Sequence, residues 1–162
     1  MSMKINISRK IFLPIIVLLV IGFVVLDQAV KKIAVFWLSA SPFYISDYFR
    51  LEIYKNYGIA FGLPVNAGVF YIIIILFFAW LASGKLLNFR EMGKREILAV
   101  SFILGGALGN IIDRVSFGYI IDFINFKDIV IFNLADVFIA IGVIKLLEKF
   151  LPDTGKGKFK KI

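Results

Sequence analysis

Two acids in apolar surroundings set the chemistry open to this chain: Asp136, inside the hydrophobic run Ile129 to Ile144, and Asp122, in Ile121-Asp122-Phe123-Ile124. An acidic side chain at the centre of a membrane segment costs roughly 2.5–3.5 kcal/mol even on insertion scales, so partners or a function must offset it. Adjacent carboxylates cannot both ionise cheaply. One keeps a proton while the other draws a proton from water, and the two titrate as a unit. Such a pair can hydrolyse an amide, the ionised member activating water and the protonated member hydrogen-bonding the scissile carbonyl oxygen. Which aspartate starts as the base is left open.

Further polar residues lie in apolar stretches. Gly106, Asn110 and Asp113 follow one another at steps of four and three, which places them on one helix face with Gly105 and Gly109 nearby. Tight helix packing alone accounts for the glycines, whereas packing does not require Asn110 and Asp113. Asn133 precedes Asp136 by three and brings an amide donor beside that acid, and Ala135 leaves room for close approach. The alternative for Asp136 is a bundle salt bridge to Arg114 or Lys31. Asp122 is expected on an outer loop. Asp27 and Lys31, spaced i, i+4, form a local ion pair. The run Asn56-Tyr57-Gly58-Ile59-Ala60-Phe61-Gly62 suits a turn approached closely by a ligand.

The elements that hold these residues are membrane helices. Of 162 residues, 60% are hydrophobic, and the mean hydropathy is +0.92, above what a soluble domain carries. Four apolar stretches approach the ~20 residues needed to span a bilayer, at about Ile11–Val30, Asn66–Leu87, Ile97–Ile112 (extended by Asp113 and Arg114) and Ile129–Leu147. Of the 19 basic residues, all but Lys31, Lys32, Arg50, Lys55, Arg114 and Lys127 fall on one side of these spans. The positive-inside rule then puts both termini in the cytoplasm and the two aspartates near the outer face. A net charge of +8 distributed in this way reflects orientation rather than nucleic-acid binding. With no cysteine and no histidine, thiol nucleophiles, Ser-His-Asp triads, disulfides and the usual zinc sites are excluded. No metal and no cofactor is expected.

The predicted class is an all-α integral membrane protein with four transmembrane helices, in one domain over 1–162. Residues 32–65 form an extracytoplasmic segment whose aromatics, among them Trp37, Phe43, Tyr44 and Tyr48, favour the headgroup region. Within it Phe49-Arg50-Leu51-Glu52-Ile53 alternates as a strand does, so a small sheet lies on the bilayer. The loop from Val115 to Asp128 is a second mobile connector, and the basic tail, about 152–162, is disordered and drawn to anionic lipid. The first stretch is read as a retained helix rather than a cleaved signal peptide, because Asp27 and Lys31 interrupt the expected apolar-to-small transition.

Five blocks in order resemble lipoprotein signal peptidases, the type II signal peptidases of bacteria: Asp27-Gln28-Ala29-Val30-Lys31, Asn56 to Gly62, Gly105 to Arg114, Ile121-Asp122-Phe123, and Phe132-Asn133-Leu134-Ala135-Asp136. The resemblance implies an intramembrane aspartyl endopeptidase with Asp122 and Asp136 as catalytic dyad. It would cut diacylglyceryl-modified prolipoproteins before the lipidated cysteine, in the bacterial cytoplasmic (inner) membrane. It also implies four membrane helices, an extracytoplasmic sheet cradle, and supporting roles for Asp27, Lys31, Asn56, Gly106, Asn110, Asp113, Arg114, Asn133 and Ala135. Substrate and membrane lipids are the partners implied; no obligate protein partner is. Two other classes compete. A small transporter would use the same acids to bind cations, but the two halves of the chain show no inverted repeat. A non-catalytic scaffold would tolerate their neutralisation.

Overall fold

The computed structural model describes residues 9–58 and 92–148. The apolar stretch at 66–87, residues 59–62 of the glycine-containing turn and the tail at 152–162 lie outside the described residues. Among the described residues, three helices and one sheet are ordered along the chain as α1 (Arg9–Leu38), β1 (Phe43–Tyr44), β2 (Phe49–Asn56), α2 (Lys94–Phe117), β3 (Ile120–Phe126), β4 (Val130–Phe132) and α3 (Leu134–Leu147). The chain is thus helical with an added antiparallel sheet in the order β1-β2-β3-β4.

Helix α1 is longer than the expected stretch ending near Val30. Its 30 residues rise about 45 Å, more than a ~30 Å hydrocarbon core, so one end reaches beyond it. The extension follows from Lys31, which does not mark an aqueous boundary but is buried at 2% exposure, letting the helix continue through Ile33, Phe36 and Trp37. The last two rings are exposed and belong at a membrane interface.

Helix α2 is the hub. Gly105 faces Phe23 of α1, where an added Cβ would lie 2.6 Å from the Phe23 Cβ; Gly106 faces the Ala135 carbonyl oxygen and Ile139 of α3. Below these contacts Phe23, Phe102 and Phe138, one from each helix, cluster with centroids 4.3–5.7 Å apart. Farther along, Ile97, Val100, Ile103 and Leu146 close the apolar core.

Three expectations are corrected here. Asp122 does not sit on a loop, because β3 runs through the Val115–Asp128 region and is buried along nearly its whole length. Gly118 makes this possible: its left-handed backbone (φ 81°) ends α2, and the chain turns at once into the strand. Residues 130–132 form strand β4 where a helix was expected, pairing Ile124 with Phe132 and Phe126 with Val130. Lys127 and Asp128, both with positive φ, make the tight turn between the strands, and the Asn125 side chain accepts from the Asp128 N–H at 2.8 Å. Helix α3 therefore begins only at Leu134, so Asp136 stands in its first turn and not at mid-helix. The aromatic-rich segment does yield the expected strand over 49–53, as part of β2.

The Gly106 contact yields a first test. A methyl at this position meets a backbone carbonyl that cannot rotate away, so Gly106→Ala should cost about 1–3 kcal/mol, and Gly106→Leu more. Thermal unfolding in detergent micelles reads this as a lowered Tm; an unchanged Tm for Gly106→Leu would contradict the packing.

Candidate active site

The site forms where α3 begins. Asn133 caps the helix: its side-chain oxygen accepts from the Asp136 N–H at 3.0 Å, and the Asp136 carboxylate accepts from the Asn133 N–H at 3.2 Å. This reciprocal box orients the Asp136 side chain back toward the strand. With its oxygen engaged, the Asn133 amide nitrogen points away from Asp136, donating to Asp122 Oδ1 at 2.7 Å and to Asn110 Oδ1 at 3.0 Å. Asn133 was expected to donate its amide to Asp136; that amide serves the other acid instead. One residue thereby holds both carboxylates, Asp122 through its side-chain amide and Asp136 through its backbone N–H.

Asp122 is 1% exposed and sits on β3 opposite Tyr54 of β2. Its second oxygen accepts from the Asn56 amide at 2.8 Å. Asn56 is oriented by its own turn, since its Oδ1 accepts from the Gly58 N–H at 2.9 Å. Arg114 of α2 holds that turn, donating to the carbonyls of Tyr57, at 3.1 Å, and of Gly58. Asp136, partly exposed, accepts on Oδ1 from the Asn110 amide at 2.9 Å. Each of the four carboxylate oxygens thus has a donor of its own.

Behind this pair lies a buried charge cluster. The Lys31 ammonium contacts Asp27 at 2.9 Å, Asp113 at 2.8 Å and Asn110 Oδ1 at 3.0 Å, using its three protons on three side chains. The expected i, i+4 pair of Asp27 and Lys31 forms, and through Asp113 and Asn110 it also joins α1 to α2. Asp27 also accepts from the Ala135 N–H at 2.9 Å, which ties it to α3, and Asp113 accepts from the Ile121 N–H at 3.1 Å, which fixes the start of β3. The ion pairs among the described residues do not include Asp136, so neither Lys31 nor Arg114 bridges to it. Gly106 and Ala135 keep α2 and α3 close enough for these contacts. The structure thus brings together Asp27, Lys31, Asn56, Gly106, Asn110, Asp113, Arg114, Asn133 and Ala135 around Asp122 and Asp136.

Gln28 was not singled out by sequence reasoning beyond its place in the first block. Its amide donates to Asp113 Oδ1 at 2.8 Å and to the Gly109 carbonyl at 3.2 Å. The available signal was its position beside Asp27 in an otherwise apolar stretch of α1.

Residues 18–151 match the family model for signal peptidase (SPase) II. The chain belongs to the signal peptidase II family. It is 41% identical over 136 residues to a lipoprotein signal peptidase of Brevibacillus brevis, covering 79% of this chain and 89% of that one. A lipoprotein signal peptidase of Caldanaerobacter subterraneus is 38% identical over 133 residues, covering 80% and 91%. A bacterial membrane enzyme solved by the in meso method at 2.3 Å superimposes with a TM-score of 0.72 at 30% identity, covering 92% of this chain and 94% of that one. Another, at 1.9 Å, gives 0.70 at 30% identity, covering 87% and 95%. Family membership makes this chain a membrane peptidase.

Burial has the largest influence on the Asp122 carboxyl and pushes it up to about 6; the Asn56 and Asn133 amides hold it down, and the Asp136 charge raises it further. A carboxyl whose folded pKa lies above its unfolded value binds more protons when folded, so its ionisation weakens the fold as pH rises from about 4 through about 6. Removing that charge should therefore help most at neutral pH. Asp122→Asn should melt no lower than the unsubstituted chain at pH 7.5, and its relative Tm should fall as pH is lowered to 4; a relative Tm that rises toward acid would contradict the assignment. The cap can be separated from the amide. Asn133→Ser retains an N-cap oxygen and should melt closer to wild type than Asn133→Ala, which loses about 1 kcal/mol of capping. Both should lose peptidase turnover, because alanine has no donor and the one hydrogen of the shorter serine side chain cannot serve both Asp122 and Asn110.

Proposed function

We propose that this peptidase is an aspartic endopeptidase in which Asp122 and Asp136 form the catalytic dyad, removing signal peptides from diacylglyceryl-modified bacterial prolipoproteins by cutting before the lipidated cysteine. The observation that carries the reading is that one residue, Asn133, holds both carboxylates, Asp122 through its side-chain amide and Asp136 through its backbone N–H, with a donor on every carboxylate oxygen. The relatives named lipoprotein signal peptidase support the substrate class.

The chemistry follows from one shared proton. The ionised aspartate takes a proton from water as the water oxygen attacks the scissile carbonyl carbon; the protonated aspartate donates to the carbonyl oxygen, giving a tetrahedral diol. Collapse of the diol breaks the C–N bond as the proton gained from water passes to the leaving nitrogen, and the acid regains its own from the hydroxyl. Asn56, Asn110 and Asn133 keep the carboxylates in place without supplying protons. Asp27, Lys31, Asp113 and Arg114 fix those asparagines and the start of β3, while Gly106 and Ala135 permit the close helix approach.

The same reading places the chain in the bacterial inner membrane as one domain over 1–162. Four helices span it, both termini are cytoplasmic and the dyad lies near the outer face, where water and a membrane-embedded peptide can meet. The sheet acts as a cradle on the bilayer surface, and a cleft open to lipid admits the acyl chains laterally.

Purified protein with a synthetic lipidated prolipoprotein peptide tests this. Asp122→Asn and Asp136→Asn should each abolish cleavage while remaining folded, and retained turnover in either refutes the dyad. The activity profile should be bell-shaped, because the reaction needs exactly one proton on the pair. Activity should fall at low pH, where both acids are protonated, and at high pH, where the last proton leaves. A profile flat from pH 4 to 9 would oppose the mechanism.

A further inference from the structure

The amide of asparagine presents an acceptor on one side and two donors on the other, and its partners decide which way it faces. Each asparagine at the dyad has its oxygen occupied by a group that can only donate. For Asn133 that group is the Asp136 N–H, and for Asn56 it is the Gly58 N–H, both set by local backbone geometry. Asn110 differs. It lies in the middle of an α2 turn, and its oxygen is met by the Lys31 ammonium at 3.0 Å and by the Asn133 amide nitrogen at 3.0 Å.

We propose that Lys31 is a positioning residue of the reaction: by filling the oxygen side of Asn110 with an obligate donor, it turns the Asn110 NH2 toward Asp136 and so fixes the direction of the hydrogen bond the dyad receives. This rests on the dyad reading above and adds to it the residue that orients Asn110. Turned the other way, Asn110 would set its NH2 against an ammonium and its oxygen against Asp136 Oδ1, a contact that Asp136 satisfies only when protonated. Lys31 itself cannot swing away, because its other two protons are held by Asp27 and Asp113, and it is 2% exposed. Gln28 holds Asp113 from the far side at 2.8 Å. The charged groups around the pair among the described residues are Asp27 and Lys31 from α1, Asp113 and Arg114 from α2, Asp122 from β3 and Asp136 from α3. Arg114 is directed at the carbonyls of Tyr57 and Gly58.

The test must separate orientation from charge. Lys31→Met removes both, so the charge-balanced Asp27→Asn/Lys31→Met is made beside it; an asparagine at 27 keeps an acceptor for the Ala135 N–H. The balanced variant should lose about tenfold or more in kcat with KM changed little, the size expected when one hydrogen bond to a charged group is lost, and the acid limb of its pH profile should move up. In an Asn110→Ala background the same two substitutions should cost less than about twofold, since the group they act through is gone. A balanced variant as active as wild type overturns the proposal. So does an equal loss in the Asn110→Ala background, which would mean that Lys31 acts through space or through the fold. The wild-type chain gives a measurement that needs no substitution at Lys31. With 15N-labelled asparagine in micelles, the Asn110 side-chain NH2 signal should follow the dyad's titration; a signal in free exchange and indifferent to pH would overturn the assignment. If Asp122→Asn or Asp136→Asn retains turnover, the dyad itself fails, a result distinct from either of these.

Discussion

An ammonium buried among three helices organises this molecule. Removing a lysine from water costs several kcal/mol, and the cost is offset only when all three protons find acceptors. Lys31 meets that condition with Asp27, Asp113 and Asn110. Each acceptor then fastens something else: Asp27 the start of α3, Asp113 the start of β3, and Asn110 the carboxylate of Asp136. The two elements that carry the acids are thus anchored to one cation. Breaking such a cluster at one partner leaves the others buried and uncompensated, so its members act as a unit rather than as separate bonds.

This cluster gives the glycines of α2 a meaning that helix packing alone does not. A Cβ at Gly109 would lie 2.5 Å from Asp27 Oδ2, so a larger residue would displace a carboxylate, not merely separate two helices. Gly105 and Gly106 meet the expectation of close apolar approach, against Phe23 and against the Ala135–Ile139 turn. Gly109 serves the polar layer one turn further on. The face read from spacing as small, then polar, is in three dimensions a graded one that passes from ring packing to ion pairing within about three turns.

Much of the site was legible because it lies on a helix. Steps of three and four placed Gly106, Asn110 and Asp113 together, and the structure keeps them so. What escaped was the change from helix to strand. Ile129-Val130-Ile131-Phe132 is a short apolar run that periodicity cannot assign, and its β-branched residues favour the strand it forms. Asn133 followed three residues later by Asp136 is itself a helix-start signal, and reading the two only as chemistry hid the boundary. Strand β3 was missed for another reason. It is buried on both sides, with Asp122 on one face and Asn125 on the other, so no alternation of apolar and polar residues announces it. Lys31 was read only as the local partner of Asp27, because its other two partners, Asn110 and Asp113, lie about eighty positions away.

The junction between β4 and α3 explains why an asparagine stands at position 133. Serine, threonine, aspartate and asparagine can all cap a helix, since each offers an oxygen to the first turn. Asp122 and Asn110, however, both present oxygens toward the same residue, and two acceptors require two donors from one side chain. A hydroxyl has one hydrogen, and a carboxylate would add a third negative charge beside Asp122 and Asp136. Only the amide combines a cap acceptor with two donors in a fixed plane. The residue that starts the helix is therefore also the one that sets the distance between the two acids, and the precision of the pair derives from the rigidity of a helix N-terminus rather than from a loop.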